Sequence, residues 1–340
     1  RVTRFDDGFY IMRAKSEYGD MRGGRVESID GMPFAEIRNK LETLRGGIEP
    51  FRAENAAVFI ENQELLYGIG IARKPDQSTW TVTAPDGHAV TQTLKAYPDK
   101  GDVMFVYGPR WRAPEPMKGM GKDWVAYRPA SGSLPLSLQD FDNHFFRSPI
   151  AGTCAEYIRV QDIVDTDGQQ IQPFLKSTEA ALKAHKPCAV VFDLRGDGGG
   201  DYTNMWHFTH ALPDLTTGRI IVLTDAGTFS AAITTTAFTK DAGGKRVLIV
   251  GEPVGDRMPF YAEGGNAVLP NAQFSLSYET GKHDYIHPCH DVRNCFWLNW
   301  LYPVQVKSLQ PDVPVPNRFS DWNRSYDAAY ERAVALATQR

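Results

Sequence analysis

Residues 188–255 read CAVVFDLRGDGGGDYTNMWHFTHALPDLTTGRIIVLTDAGTFSAAITTTAFTKDAGGKRVLIVGEPVG, and this stretch decides the fold. Three apolar runs, Ala189–Phe192, Arg219–Leu223 and Arg246–Val250, are rich in β-branched residues and bounded by turn formers. Strands buried on both faces of a parallel sheet look like this. The segments between them are long enough for crossover helices, so the stretch predicts a βαβαβ unit of an α/β protein. Function in such sheets collects at the carboxyl ends of the strands. Here those ends read Asp193-Leu194-Arg195-Gly196-Asp197-Gly198-Gly199-Gly200 and Thr224-Asp225-Ala226-Gly227-Thr228-Phe229-Ser230.

The second end carries the sharpest chemistry. Ser230 stands where strand gives way to helix, ahead of Ala231-Ala232-Ile233. The helix's free N–H groups and positive dipole end favour an anion developing there. The glycine run after the first strand lets backbone N–H groups turn into the same crevice. Together these residues suggest a nucleophile with an oxyanion hole, Ser230 attacking while the N–H groups of Ala231 and of Gly199 or Gly200 hold the tetrahedral oxygen. The plain alternative is an N-cap serine beside a tight βα turn.

The motifs add to this. The stretch resembles the core of the tail-specific (C-terminal processing) and tricorn-like serine peptidases. Those enzymes carry a strand ending in Asp-Leu-Arg before a Gly-Gly turn, matched at Asp193–Arg195 and Gly199-Gly200. They carry Thr-x-Ser-Ala, matched at Thr228–Ala231, and a strand closed by Gly-Glu-x-x-Gly, matched at Gly251–Gly255. The resemblance implies a βαβ sheet core of the crotonase-like, tail-specific peptidase type, an amino-terminal PDZ-like domain, peptide hydrolysis and no cofactor. One departure matters. Tail-specific peptidases place a general-base lysine just past the Gly-Glu turn, where this chain has Asp256 and Arg257, and an arginine does not deprotonate. Lys240 and Lys245 come too early. The tricorn-like branch, with a histidine from before the sheet domain and a downstream acid, fits better, and that histidine is expected upstream of Arg1.

The 340 residues, 42% hydrophobic and 23% charged, suffice for a sizeable core and two domains. A net charge of −4 gives no reason to expect nucleic acid or an anionic membrane as partner, and no apolar run of about 18 residues suggests a membrane span. Of the four cysteines, Cys289 and Cys295 bracket a short loop and are expected to form a local disulfide, whereas Cys154 and Cys188 are expected as buried thiols. The disulfide points to a periplasmic or secreted location. A rival reading of that loop is a zinc site from His287, Cys289, His290 and Cys295.

In chain order, residues 1–100 are expected to form the PDZ-like domain. Gly24–Gly31 matches that fold's Gly-x-Val-x-x-Ile-x-Gly segment, followed by a helix over Phe34–Leu44. A further helix is expected over Glu54–Ile71, and a hairpin around Asp86-Gly87. PDZ-like folds hold extended peptides by strand addition; a purely structural cap on the cleft is the alternative. Residues 101–150, with Gly108–Pro116 rich in Pro, Trp and Arg, read as an irregular connector. Residues 151–340 are expected to form the peptidase core. Ala155–Val160 is its first strand and Gln170–His185 a crossover helix. Strands are expected over Ala267–Pro270 and Gln273–Tyr278, with Tyr326–Ala337 as closing helix.

His283, His287 and His290 cluster with Asp284 and Asp291 after Tyr278. A neutral histidine can take the serine proton and a carboxylate can fix its tautomer, which makes Asp291, or Asp284, the candidate orienting acid. The alternative is a solvated disulfide loop. His207 and His210, on the helix after the glycine loop, read as core or cap residues, and His88 and His144 as bland. The sequence thus predicts a serine peptidase acting through an acyl-enzyme on Ser230, with peptides or unfolded proteins as substrates. The alternative is a catalytically silent module of the same fold that binds a peptide or an apolar ligand.

Overall fold

The computed structural model describes residues 1–97, 111–113, 120–129, 132–271 and 274–339. The chain divides into two compact units, Arg1–His144 with Pro314–Arg332, and Phe145–Val313 with Ala333–Arg340.

The first unit contains β1 (Val2–Phe5), β2 (Gly8–Ile11), β3 (Arg13–Lys15), β4 (Arg25–Ile29), β5 (Met32–Pro33), α1 (Phe34–Glu42), α2 (Glu49–Phe59), α3 (Gln63–Gly68), β6 (Gln77–Thr83), β7 (Ala89–Lys95) and β8 (Trp124–Ala126). An antiparallel sheet runs β1-β2-β4-β6-β7, with β5 on β4. Along β6 the alternate residues Ser78, Trp80 and Val82 are buried, the period-two pattern of a sheet with one covered face. The hairpin expected at Asp86-Gly87 joins β6 to β7, and Gly87 supplies the left-handed φ of +93°. The single helix expected over Glu54–Ile71 is instead two. α2 starts earlier, behind Pro50, and the Asn62 side chain accepts the Leu65 N–H at 2.9 Å to start α3 afresh. The short helix Phe319–Trp322 belongs to this unit because Phe319 stacks on Tyr10, ring centroids 4.0 Å apart. In the expected connector, Gly108–Arg110 and Pro114–Pro116 lie outside the described residues. Trp111 and Ala113 are buried, and their carbonyls receive the buried Arg13 guanidinium.

The second unit contains β9 (Phe145–Pro149), β10 (Ala155–Val160), α4 (Ile171–His185), β11 (Ala189–Asp193), α5 (Trp206–Leu215), β12 (Ile220–Thr224), α6 (Ala231–Gly243), β13 (Val247–Gly251), β14 (Phe260–Leu269), β15 (Phe274–His283) and β16 (Val313–Pro314). The expected parallel βαβαβ core is present. β10 to β13 lie side by side in parallel, in the sheet order β16-β13-β12-β11-β10-β9. β10, β11 and β12 are buried along their whole length, which explains the apolar runs of β11 and β12; β10 buries Glu156 and Arg159 as well. The last residues of the expected connector form β9, an antiparallel strand outside β10. The core packs Ile158, Val190, Phe192 and Ile220 against Leu212 of α5 and Phe238 of α6. The strands expected near residues 267–278 are longer than predicted. β14 and β15 form a separate two-stranded ribbon, and Gln273 lies outside the described residues.

One expectation is overturned. Cys154 and Cys188 are not free thiols but a disulfide, alongside the expected Cys289–Cys295. The cause is lateral register. Ala155 pairs with Ala189, so the residues just before them face each other across the parallel strands with their Cα atoms 5.4 Å apart, well inside bonding geometry. Closing a loop of 34 residues should stabilise the unit by ~3–4 kcal/mol in the chain-entropy picture. Urea unfolding of the Cys154→Ala/Cys188→Ala variant should show a loss of that order; an unchanged midpoint would contradict it.

Candidate active site

β12 ends at Thr224, and the turn from there to α6 is held by short polar bonds. Asp225 Oδ1 accepts the N–H groups of Gly227 and Gly196, both at 2.9 Å, tying this turn to the one after β11. The Thr228 hydroxyl donates to Leu194 O at 2.9 Å and accepts the Asp225 N–H at 3.0 Å. Thr224 and the Gly-Glu turn are joined by Thr224 Oγ1 to Glu252 O and by Glu252 N–H to Thr224 O, while Gly255 N–H donates to Thr228 O. Ser230 then stands at φ +53°, ψ −121° at the start of α6, partly exposed, whereas Ala231–Thr239 are buried. A β-carbon-bearing residue persists there only when its surroundings over-determine the backbone.

Those surroundings include the glycine loop. Asp193 receives Arg195 through Nε at 2.9 Å and Nη2 at 2.6 Å, and the Tyr157 hydroxyl at 2.8 Å, which gives the Asp-Leu-Arg motif its physical reason. Asp197 O accepts the Phe229 N–H at 2.9 Å, and Asp197 Oδ1 accepts the Gly199 N–H at 2.8 Å. Gly199 O accepts Ile163 N–H, and Asp201 N–H donates to Ile163 O. Gly199 has φ +107°, and a β-carbon there would lie 2.7 Å from Ser230 Cβ and 2.8 Å from Ala231 N. The structure therefore brings Ser230, Ala231 and Gly199 together, with Gly200 next in the loop. The Gly199 N–H is already engaged by Asp197. The Gly200 and Ala231 N–H groups find no acceptor among the described residues.

The other candidates lie in distinct settings. Asp291 is exposed and closes its own turn by accepting from the Arg293 N–H and the Asn294 amide, and the Arg293 N–H holds its carboxyl below the usual range. Asp284 is buried, caps the Ile286 and His287 N–H groups, and lies 3.7 Å from the exposed His287. His290 is exposed. The Cys289–Cys295 disulfide consumes two of the four ligands of the zinc reading. Lys240 donates to Asp312 and to Val247 O. His207 is exposed near Glu179, His210 bonds Trp206 O, and His88 pairs with Asp86.

His283 differs from its expected loop setting. It ends β15, only 1% exposed, stacked on Phe260 with ring centroids 4.9 Å apart and edge-on to Tyr202 behind the glycine loop. Its Nδ1 lies 3.0 Å from the Tyr285 hydroxyl, which lies 2.7 Å from Thr234 Oγ1 on α6. Burial pushes this imidazole down to about 4 and pushes the Tyr285 hydroxyl up. Single-sequence reading missed this link because its members are scattered.

No protein-family model matches the chain, and no curated protein matches it either. Among solved structures, it is similar to mature CPAF complexed with lactacystin, at 14% identity and a TM-score of 0.58, covering 99% of this chain and 81% of that one. It is similar to mature CPAF alone at 13% identity and a TM-score of 0.56, covering 99% and 80%. The photosystem II D1 C-terminal processing protease is matched at 13% identity over 93% and 71% of the two chains, and its TM-score of 0.37 is too low to carry weight. What the chain shares with CPAF is the fold.

Gly199→Ala should destabilise the second unit by about 2–4 kcal/mol through left-handed strain and the clash with Ser230. Gly168→Ala, also left-handed at φ +78° but facing open space, should cost about 1 kcal/mol; equal losses in thermal melts would contradict the packing argument. His283 gives a pH signature. Its imidazole charges at about 4 when folded and near about 6.5 when unfolded. Stability is therefore full above about pH 6.5 and falls by up to about 3 kcal/mol as pH drops toward 4. Urea midpoints at about pH 7.5 and 4.5 should differ less for His283→Asn than for the native chain.

Proposed function

We propose that the chain is a serine peptidase of the tail-specific and tricorn-like class, cleaving peptide bonds through an acyl-enzyme on Ser230. The observation that carries this reading is Ser230 itself, a non-glycine residue at φ +53° on the strand-to-helix turn with the Gly199 backbone pressed against it. Backbone strain of this kind collects at functional sites. The CPAF-like fold and the ordered Asp-Leu-Arg, Thr-x-Ser-Ala and Gly-Glu-x-x-Gly motifs support it. Ser230 Oγ attacks the substrate carbonyl and passes its proton to a base. The amine leaves with a proton, and water then releases the acyl group. With the Gly199 N–H engaged by Asp197, the N–H groups of Gly200 and Ala231 take the oxyanion role.

Lys240, held by Asp312, and Arg257, which stays charged, leave the base to a histidine. The placing nearer the tricorn-like branch rests on Asp256 and Arg257 standing where tail-specific peptidases have a lysine. Residues 1–100 serve in this reading as a PDZ-like domain that holds an extended peptide. The disulfides support a periplasmic or secreted location. No helix among the described residues is long and apolar enough to cross a membrane. The second reading, a catalytically silent peptide binder, is favoured by one observation. No side chain among the described residues bonds to Ser230 Oγ.

A fluorophosphonate probe followed by peptide mass spectrometry separates the two. Labelling at Ser230 that is abolished in Ser230→Ala is expected, whereas absence of labelling at millimolar probe, both in this chain and in one extended upstream of Arg1, would establish the binder.

A further inference from the structure

Ala231–Thr239 of α6 are all buried yet rich in threonine. Three of its hydroxyls satisfy themselves in one way. Thr235 donates to Ala231 O, Thr236 to Ala232 O and Thr239 to Thr235 O, each at 2.8 Å one turn back. This back-bonding perturbs the carbonyl it reaches and bends helices. Thr234 is the exception. The carbonyl one turn behind it is that of Ser230, which already accepts the Ile233 N–H at 2.9 Å and the Thr234 N–H at 3.3 Å. Its hydroxyl turns instead to Tyr285, and Tyr285 to His283.

The protons in this row can run in only two directions. If His283 carries its proton on Nε2, Nδ1 accepts the Tyr285 O–H, and Tyr285 accepts the Thr234 O–H. If the proton sits on Nδ1, the row reverses. Tyr285 then donates to Thr234, and the Thr234 proton is released toward the Ser230 carbonyl. Glu263 Oε1 lies 3.7 Å from Nε2, and the Asn299 side chain also acts on this imidazole. A carboxylate on that side favours the Nε2–H form.

We infer that His283 is a positioning residue for Ser230, its Nε2–H tautomer drawing the Thr234 hydroxyl through Tyr285 away from the Ser230 carbonyl. The inference rests on the reading of Ser230 as the nucleophile. Its substance is direction as well as packing: the Ser230 peptide unit keeps its left-handed geometry because the Thr234 hydroxyl, one turn on, is engaged by Tyr285.

Fluorophosphonate labelling rates test the role. Tyr285→Phe frees the Thr234 hydroxyl and should slow labelling about tenfold or more, the scale on which small misplacements act. Adding Thr234→Val removes that hydroxyl and should restore the rate to within about threefold of the native value. An unchanged rate in Tyr285→Phe, or a double variant as slow as the single one, overturns the inference. His283→Asn, whose amide oxygen can stand at the Nδ1 position, should retain labelling, whereas His283→Gln should not; the reverse order also overturns it. The His283 imidazole signals in 15N NMR report the row without catalysis. An Nε2–H tautomer that shifts on Tyr285→Phe supports it, and an Nδ1–H tautomer overturns it even where Ser230 labels. Failure to label in this chain and also in one extended upstream of Arg1 sinks the nucleophile reading, and the tautomer then decides the hydrogen-bonded row alone.

Discussion

The carboxyl edge of the parallel sheet depends on how closely two backbones meet. Gly199 lies so near Ser230 that a single added carbon would come within 2.7 Å of the serine's own β-carbon. Such contact requires the Ser230 turn to be held from outside, because its conformation is uncomfortable for a residue with a β-carbon, whereas Gly199 adopts its own freely. The holding groups are polar and short. Asp225 grips both turns at once, Thr228 reaches back to Leu194, and Asp197 receives Phe229 and Gly199. Each of these bonds is modest, on the order of 1 kcal/mol, but they converge on the same few residues. The serine is left partly exposed at the end of an otherwise buried helix.

The sheet could be read from the sequence because burial on both faces removes the alternation that would otherwise blur a strand. Val190, Val191 and Phe192, like Ile220 to Leu223, are apolar in succession because every one of them is covered. The Ser230 turn was read from its place between an apolar strand and a helix and from the Thr-x-Ser-Ala motif, whereas the bonds by which Asp225 and Thr228 hold it were not. Non-local facts were not legible. That Cys154 and Cys188 face each other depends on the register of β10 against β11, which no local pattern encodes. The break between α2 and α3 turns on one side-chain oxygen, Asn62 Oδ1, competing with the helix for the Leu65 N–H. His283 read as a loop residue because the ribbon that buries it carries glycines and polar residues as well as apolar ones.

α6 shows how a segment of modest hydropathy can occupy a core. Thr235, Thr236 and Thr239 each present a methyl to their neighbours and return the hydroxyl to their own helix. The polar atom is satisfied without any partner on another element. At these three positions the helix is therefore apolar in effect, whereas Thr234 keeps a polar link to another element.

The cross-link between Cys154 and Cys188 sits at the amino ends of β10 and β11, opposite the edge where the serine turn lies. Mechanically, the central strands are beams with a clamped root and an unclamped tip. Splaying at the root is suppressed by a covalent tie, whereas the tips are held by hydrogen bonds. The loops there are joined by side-chain and backbone hydrogen bonds, which can yield one at a time without the sheet parting beneath them.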